Sequence, residues 1–296
     1  MELLSYVWPW LAVGLSWVWV AIGQWILAKK AMEVIWKTPA MTTFYLTVTI
    51  LGIALVESAV IYGLVIAFQL LASETLGLFS SMGAWFAIRA AWLWAGWWEG
   101  VLIAWALGAM ERNPEIKWKI MTFMVLFVAL VEVTAIYGLI IAFKIIGFDT
   151  ESVVHLGAGL AIGLAWVWVA IGRWYLSEEA LEVMGRNPKM ISFFLTVSIL
   201  WVALVESAAI YALIVSFQIL SIEGLDAIAS VGAGLAIWLT GLGAWVGEWL
   251  LIKGAMNSMN RSPETKWKIM AFMVLFVALI EVVAIYGLII AFKALG

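Results

Sequence analysis

The sequence predicts an all-α integral membrane protein, with eight transmembrane helices arranged as four tandem helical hairpins. Three observations carry this expectation. Of 296 residues, 66% are hydrophobic and 12% charged, against about half apolar and a quarter charged in a soluble domain. The apolar residues form eight long runs, and a membrane-crossing helix needs about 20 such residues. A template also recurs: VLFVALVEVTAIYGLIIAFK at 125–144 returns as VLFVALIEVVAIYGLIIAFK at 274–293. A closed β-barrel would show short alternating segments instead. These runs are long, continuous and rich in Ala, Leu and Met.

Composition removes several other classes. A formal charge of −3 offers no basic footprint for nucleic acid. The absence of cysteine excludes a disulfide framework and a thiolate metal site. The single histidine, His155, argues against a histidine metal site and reads as a bystander at an external helix start.

In chain order, the first span covers about 5–28. No basic leader or cleavage motif precedes it, so it reads as a helix rather than a removed signal. A turn with Lys29, Lys30, Lys37 and Pro39 leads to the second span, 41–71. A link with Glu74 opens the third, 80–108, where Arg89 reaches the outer interface. Arg112, Pro114, Lys117 and Lys119 mark the turn to the fourth, 120–146. Asp149 and Glu151 precede the fifth, 153–176, and Arg186, Pro188 and Lys189 form the turn to the sixth, 190–220. Glu223 and Asp226 precede the seventh, 225–252, and Lys253, Arg261, Pro263, Lys266 and Lys268 lead to the eighth, 269–294. The longest runs have about 30 helical residues, about 45 Å at 1.5 Å rise, and project beyond the hydrocarbon. Twelve of the sixteen basic residues thus lie in or beside the turns after odd-numbered spans, with Lys144 as a counterexample. The positive-inside rule makes those turns cytoplasmic and places both termini outside. The hairpins divide as 1–74, 75–148, 149–223 and 224–296, with no separate soluble domain.

Eighteen residues after each turn proline stands a glutamate: Glu57, Glu132, Glu206 and Glu281. Five residues later stands a tyrosine: Tyr62, Tyr137, Tyr211 and Tyr286. Eighteen helical residues rise about 27 Å, which puts the carboxylates deep in the apolar span. One ionisable group near the bilayer centre costs about 2.5–3.5 kcal/mol on insertion scales, so four cost on the order of 10 kcal/mol. Protonation, a bound cation or a basic partner removes that penalty. A polar clamp between helices is the competing explanation, but a clamp does not require the same Glu-plus-Tyr spacing four times. Fifteen residues before each proline lies another polar residue: Gln24, Glu99, Arg173 and Glu248. Counted from the turn, it sits at similar depth to the glutamate.

These elements resemble the c subunit, or proteolipid, of the rotary ATP synthase ring, the F-type version more nearly than the vacuolar one. The resemblance covers the whole chain four times over. It rests on the turns Arg112-Asn113-Pro114, Arg186-Asn187-Pro188, Arg261-Ser262-Pro263 and, more loosely, Lys37-Thr38-Pro39, and on the outer-helix template ALVESAVIYGLVIAF at 54–68. It implies a double-concentric ring closed by copies of the chain. It implies glutamates that carry H+ or Na+ as the transported ion, with no cofactor and no catalysis by the chain itself. The implied partners are a stator a-type subunit, a central stalk docked on the polar turns and the lipid bilayer. The implied location is a prokaryotic plasma membrane or an equivalent energy-transducing membrane.

The chain departs from the family in its inner helices. The family's glycine stripe lets neighbouring helices touch. Here the stripe reads Trp17, Trp19, Ala21, Gly23, Trp25, then Trp92, Trp94, Gly96, Trp98, Gly100, then Trp166, Trp168, Ala170, Gly172, Trp174, and finally Gly241, Gly243, Trp245, Gly247, Trp249. An interfacial belt fits Trp8, Trp10, Trp118 and Trp267 but not residues this deep. The expectation is that the indoles spread the inner helices apart, so that many hairpins are needed to close a ring.

The family's sodium-type pattern is fully present in the first hairpin, as Gln24, Glu57, Ser58 and Tyr62. The third keeps Glu206, Ser207 and Tyr211 but has Arg173 in place of glutamine. The second and fourth have Val133 and Val282 in place of serine and carry the extra carboxylates Glu99 and Glu248. With sites between adjacent hairpins, as the resemblance implies, Ser58 joins Glu99 and Glu132, and Ser207 joins Glu248 and Glu281. Two close carboxylates do not both ionise without a cation. This set points to sodium. Arg173 facing Glu206 would lock that site, unless it snorkels to the cytoplasmic interface. Two other classes stay open: a structural or engineered membrane ring without turnover, and a stand-alone ion channel or transporter.

Overall fold

The computed structural model describes residues 7–73 and 75–296, without the side chains at 12, 13, 15, 16, 59, 89–94, 134, 170 and 174. The predicted roles of Glu74 and Arg89, and the stripe residues Trp92, Trp94, Ala170 and Trp174, lie outside that set. The helices are α1 (Val7–Lys37), α2 (Thr42–Ala72), α3 (Leu78–Arg112), α4 (Lys117–Gly147), α5 (Val153–Arg186), α6 (Ile191–Val205), α7 (Ser207–Ser221), α8 (Ala227–Arg261) and α9 (Lys266–Leu295). No strand occurs among the described residues. α6 and α7 meet at Glu206, whose N–H still donates to the Val202 carbonyl and whose carbonyl accepts from the Ile210 N–H. The two therefore fill one predicted span. Among the described residues, six helical rods are long and apolar enough to cross a membrane. The remaining two, α1 and α3, contain most of the side chains outside the described set.

Each hairpin reverses for the same reason. Proline lacks an N–H and disfavours helical geometry in the residue before it. Thr38, Asn113, Asn187 and Ser262 accordingly leave the helix, with φ of −134°, −137°, −132° and −130°. One 3₁₀ turn follows at Pro39–Met41, Pro114–Ile116, Pro188–Met190 and Pro263–Thr265. At the opposite end, Ser152 caps α5 by accepting from the Val154 N–H, and Asp226 caps α8 by accepting from Ile228 and Ala229. Such caps satisfy N–H groups that have no partner within the helix.

The helices form two layers. α1, α3, α5 and α8 pack side by side in chain order, while α2, α4, α6–α7 and α9 make a second, more loosely spaced layer. Except for α9, each second-layer helix packs against its own hairpin's first helix and the first helix of the next hairpin. Gly52 of α2 shows the arrangement, lying between Leu27 of α1 and Ile103 of α3.

The close-packed layer corrects one expectation. A Cβ at Gly23 would strike the Gly96 carbonyl, and one at Gly100 would strike the Gly23 backbone. Gly159 likewise meets the Gly83 backbone, and Gly234 meets Gly157. The helices touch backbone to backbone at these glycines, so the indoles do not hold them apart there. The indoles fit around the contacts: Trp166 and Trp245 are buried, and Trp19 packs on Trp97 at 5.7 Å. The expectation of an unusually large ring loses its premise.

Polar ties fix neighbouring hairpins at both ends. Lys37 pairs with Glu111 at 3.0 Å, and the Asn113 side-chain amide donates to the Gly185 carbonyl. At the other end, Glu151 accepts from the Phe79 and Ser80 N–H groups at 2.8 and 3.2 Å. His155 is no bystander: its Nδ1 lies 2.7 Å from Ser80 Oγ, and it is buried there.

Candidate functional site: carboxylates between hairpins

The second-layer helices deliver Glu57, Glu132, Glu206 and Glu281, each eighteen residues past its turn proline. The first layer delivers Gln24, Glu99, Arg173 and Glu248, each fifteen residues before it, so the two sets meet at similar depth.

Between the first and second hairpins, Ser58 Oγ donates to Glu132 Oε1. Tyr62 lies within electrostatic reach of both Glu132 and Glu99. Glu99 is fully buried, and neither of its oxygens has a hydrogen-bond partner among the described residues. This seam therefore gathers two carboxyl groups, a hydroxyl and a phenol.

The seam between the third and fourth hairpins repeats the design. The Tyr211 hydroxyl donates to Glu281 Oε1 at 3.0 Å, and Ser207 stands within hydrogen-bond reach of Tyr211. Glu248 is 2% exposed and interacts with Glu281. The framing contacts repeat as well. Phe44 meets Trp118 edge-on at 5.0 Å in the first pair of hairpins, and Phe193 meets Trp267 at 5.1 Å in the second.

The seam between the second and third hairpins differs. Arg173 Nη2 lies 3.2 Å from Glu206 Oε1, and Arg173 Nη1 donates to the Leu130 carbonyl at 2.5 Å. The Tyr137 hydroxyl donates to the same Glu206 oxygen at 3.4 Å. Arg173 is 1% exposed, so it does not snorkel to the interface. Val133 stands where the first seam has Ser58.

At the chain's two flanks, Gln24 Nε2 donates to Glu57 Oε1 at 2.9 Å within the first hairpin, and Glu57 is exposed. Tyr286 on the fourth hairpin is 62% exposed and Val282 lies beside it in the same helix. The structure thus brings Ser58, Tyr62, Glu99 and Glu132 together, and Tyr211, Glu248 and Glu281, but gives Glu57 no partner from another hairpin among the described residues. Of the turn residues, Arg112, Pro114, Arg186, Pro188, Arg261 and Pro263 are exposed. Asn113 spans to the next turn, and Asn187 is half-buried.

Sequence reasoning did not identify the Leu130 carbonyl as Arg173's second acceptor, since a backbone carbonyl has no residue signature. It also missed the interruption at Glu206.

A double layer of membrane hairpins with a carboxylate at each seam defines a class, the multi-hairpin membrane proteolipids. The family model for the ATP synthase C subunit matches four times, at residues 8–70, 82–145, 156–219 and 231–293, and the chain belongs to that family. It is similar to the K subunit of the A-type ATP synthase of Methanocaldococcus jannaschii, 29% identical over 72% of this chain and 94% of that protein. A single-hairpin relative, the ATP synthase c subunit of Clostridium beijerinckii, is 41% identical over 22% of this chain and 92% of its own length. The ATP synthase c subunit of Thermotoga petrophila is 35% identical over 22% of this chain and 78% of its own length. The chain is thus a fused c subunit of a rotary ATP synthase rotor, integral to the membrane.

Proposed function

We propose that this chain is a non-catalytic, sodium-carrying rotor component, whose hairpins 1–74, 75–148, 149–223 and 224–296 close into a ring with further copies. The carrying observation is Glu99, wholly buried beside Glu132 with neither carboxyl oxygen bonded among the described residues. An ionised carboxylate at such depth requires compensation. A cation between Glu99 and Glu132, with a proton on one of them, supplies it. The hydroxyl of Ser58 and the phenol of Tyr62 add hard oxygen donors of the kind that group-one cations take. Glu248, Glu281, Ser207 and Tyr211 form the same set at the third seam. The flanks complete a fourth set between copies, with Tyr286 of one copy reaching Glu57 and Gln24 of the next, as Tyr211 reaches Glu281 within the chain.

In operation, a stator a-type subunit brings a cation from one side to an emptied glutamate. The neutralised seam then faces lipid while the ring turns, and the cation leaves through a second path. Each charge crossing about 100 mV supplies about 2.3 kcal/mol. The exposed turns with Arg112, Arg186 and Arg261 face the cytoplasm, where a central stalk docks, and both termini lie outside.

The test is ATP-driven uptake of radioactive sodium into liposomes by the intact complex. Uptake that persists with a protonophore and stops with Glu132→Gln supports the reading. Uptake abolished by the protonophore assigns protons instead, and sodium flux from the isolated chain without partners assigns a channel.

A further inference from the structure

Residues 24 and 173 are equivalent in the repeat, and so are Glu57 and Glu206. At the free flank the pair is a neutral amide and a carboxylate; inside the chain it is a guanidinium and a carboxylate. We infer that Glu206 is permanently neutralised by Arg173, so that the chain exchanges three cations on four hairpins. The inference rests on the ion-carrying reading above and adds a specific stoichiometry to it.

The geometry holds the guanidinium at both ends. Nη2 lies 3.2 Å from Glu206 Oε1 on the third hairpin, and Nη1 bonds the Leu130 carbonyl on the second at 2.5 Å. The Tyr137 hydroxyl is turned to the same carboxylate oxygen at 3.4 Å. Arginine stays charged at any relevant pH. A sodium ion entering this seam would meet a fixed positive charge already bonded to the ligand it needs. For Arg173 to move away, a buried guanidinium and its carboxylate would both lose their partners, which is strongly unfavourable.

The pair is neutral as a unit, so it passes through lipid as a loaded seam does, without loading. A ring of these chains therefore moves fewer ions per turn than it has hairpins. That lowers the ion-to-ATP ratio while keeping the hairpin count, and so the ring's diameter, unchanged.

The experiment is carbodiimide modification of the purified assembly, read glutamate by glutamate by mass spectrometry, with and without sodium. Glu57, Glu132 and Glu281 react and are protected by sodium. Glu206 reacts on the order of a hundredfold more slowly than Glu57, in keeping with a buried carboxylate held in an ion pair. Arg173→Gln brings Glu206 to the rate of Glu57 and makes it sodium-protected. Radioactive sodium bound to the parent assembly reaches three per chain. If Arg173→Gln fails to assemble, the parent comparison alone decides. Reaction of Glu206 at the rate of Glu57 in the parent, or four sodium ions per chain, overturns the inference and leaves the carrier reading standing. Indifference of every glutamate to sodium and to pH overturns both.

Discussion

At the scale of single residues, the seams show how one backbone template can carry different chemistries. The glutamate and tyrosine are constant; what varies is the residue fifteen before the proline and the one after the glutamate. Tyr211 isolates one contribution, because its hydroxyl donates to Glu281 at 3.0 Å while its ring packs at the apolar seam. Tyr211→Phe removes the donor and keeps the ring. A hydrogen bond to a charged group is worth about 1.5–3 kcal/mol, so on the proposed sodium reading the affinity at this seam should fall by about tenfold or more. The sodium concentration that half-protects Glu281 from carbodiimide should rise accordingly, with that for Glu132 unchanged. The pairing of Ser58 with the next hairpin's Glu132 could be anticipated because the family resemblance implies sites between adjacent hairpins, and serine and second carboxylate are missing from complementary hairpins. Whether Arg173 turned to its glutamate or ran to the interface was not legible. That choice depends on an acceptor from another hairpin, the Leu130 carbonyl, and on how tightly α4 and α5 close around it.

At the scale of elements, helices and turns were legible because the membrane and proline act locally. Apolar length sets each span, and each turn proline sets a reversal one residue earlier. Lateral packing was not legible, because it depends on which face of a helix meets its neighbour. The indole stripe suggested separation, yet Gly23, Gly96 and Gly100 bring α1 and α3 into backbone contact beside it. This gives a paired prediction. A methyl at residue 23 would run into the Gly96 carbonyl, whereas one at residue 172 would meet only Val205 Cγ1 at 3.7 Å. Overpacking costs about 1–3 kcal/mol, while alanine is about 1 kcal/mol better than glycine within a helix. Thermal melting of the detergent-solubilised assembly should show Gly23→Ala destabilised and Gly172→Ala unchanged or slightly raised. The same locality explains why His155 was misread: its role comes from Ser80, 75 residues away in sequence.

At the scale of the whole molecule, the chain alternates two kinds of hairpin and leaves its two flanks unmatched, and the unmatched residues indicate how copies join. The position 31 residues before the proline holds Trp8, Gly83, Gly157 and Gly232, and the position 29 before it holds Trp10, Trp85, Gly159 and Gly234. Within the chain the first of these always meets the second on the next hairpin. Trp8 packs on Trp85 at 5.2 Å, Gly159 lies on Gly83, and Gly234 lies on Gly157. The position left over on the fourth hairpin is Gly232, where an added Cβ meets nothing within 4 Å, and the one left over on the first is Trp10, 74% exposed. If copies join in the proposed ring, extending the rule across the flanks would seat the Trp10 indole of one copy in the space over Gly232 of another. If Gly232 becomes tryptophan, its indole takes the space that the Trp10 indole of the other copy would enter. Gly232→Trp should therefore reduce the yield of closed assemblies in native mass spectrometry. The double change Gly232→Trp with Trp10→Gly, which exchanges knob and hole, should restore it. Trp10→Gly alone should weaken the junction without changing the fold of the separate chain. Equal closure by all four proteins would mean that the copies meet along a different pair of faces.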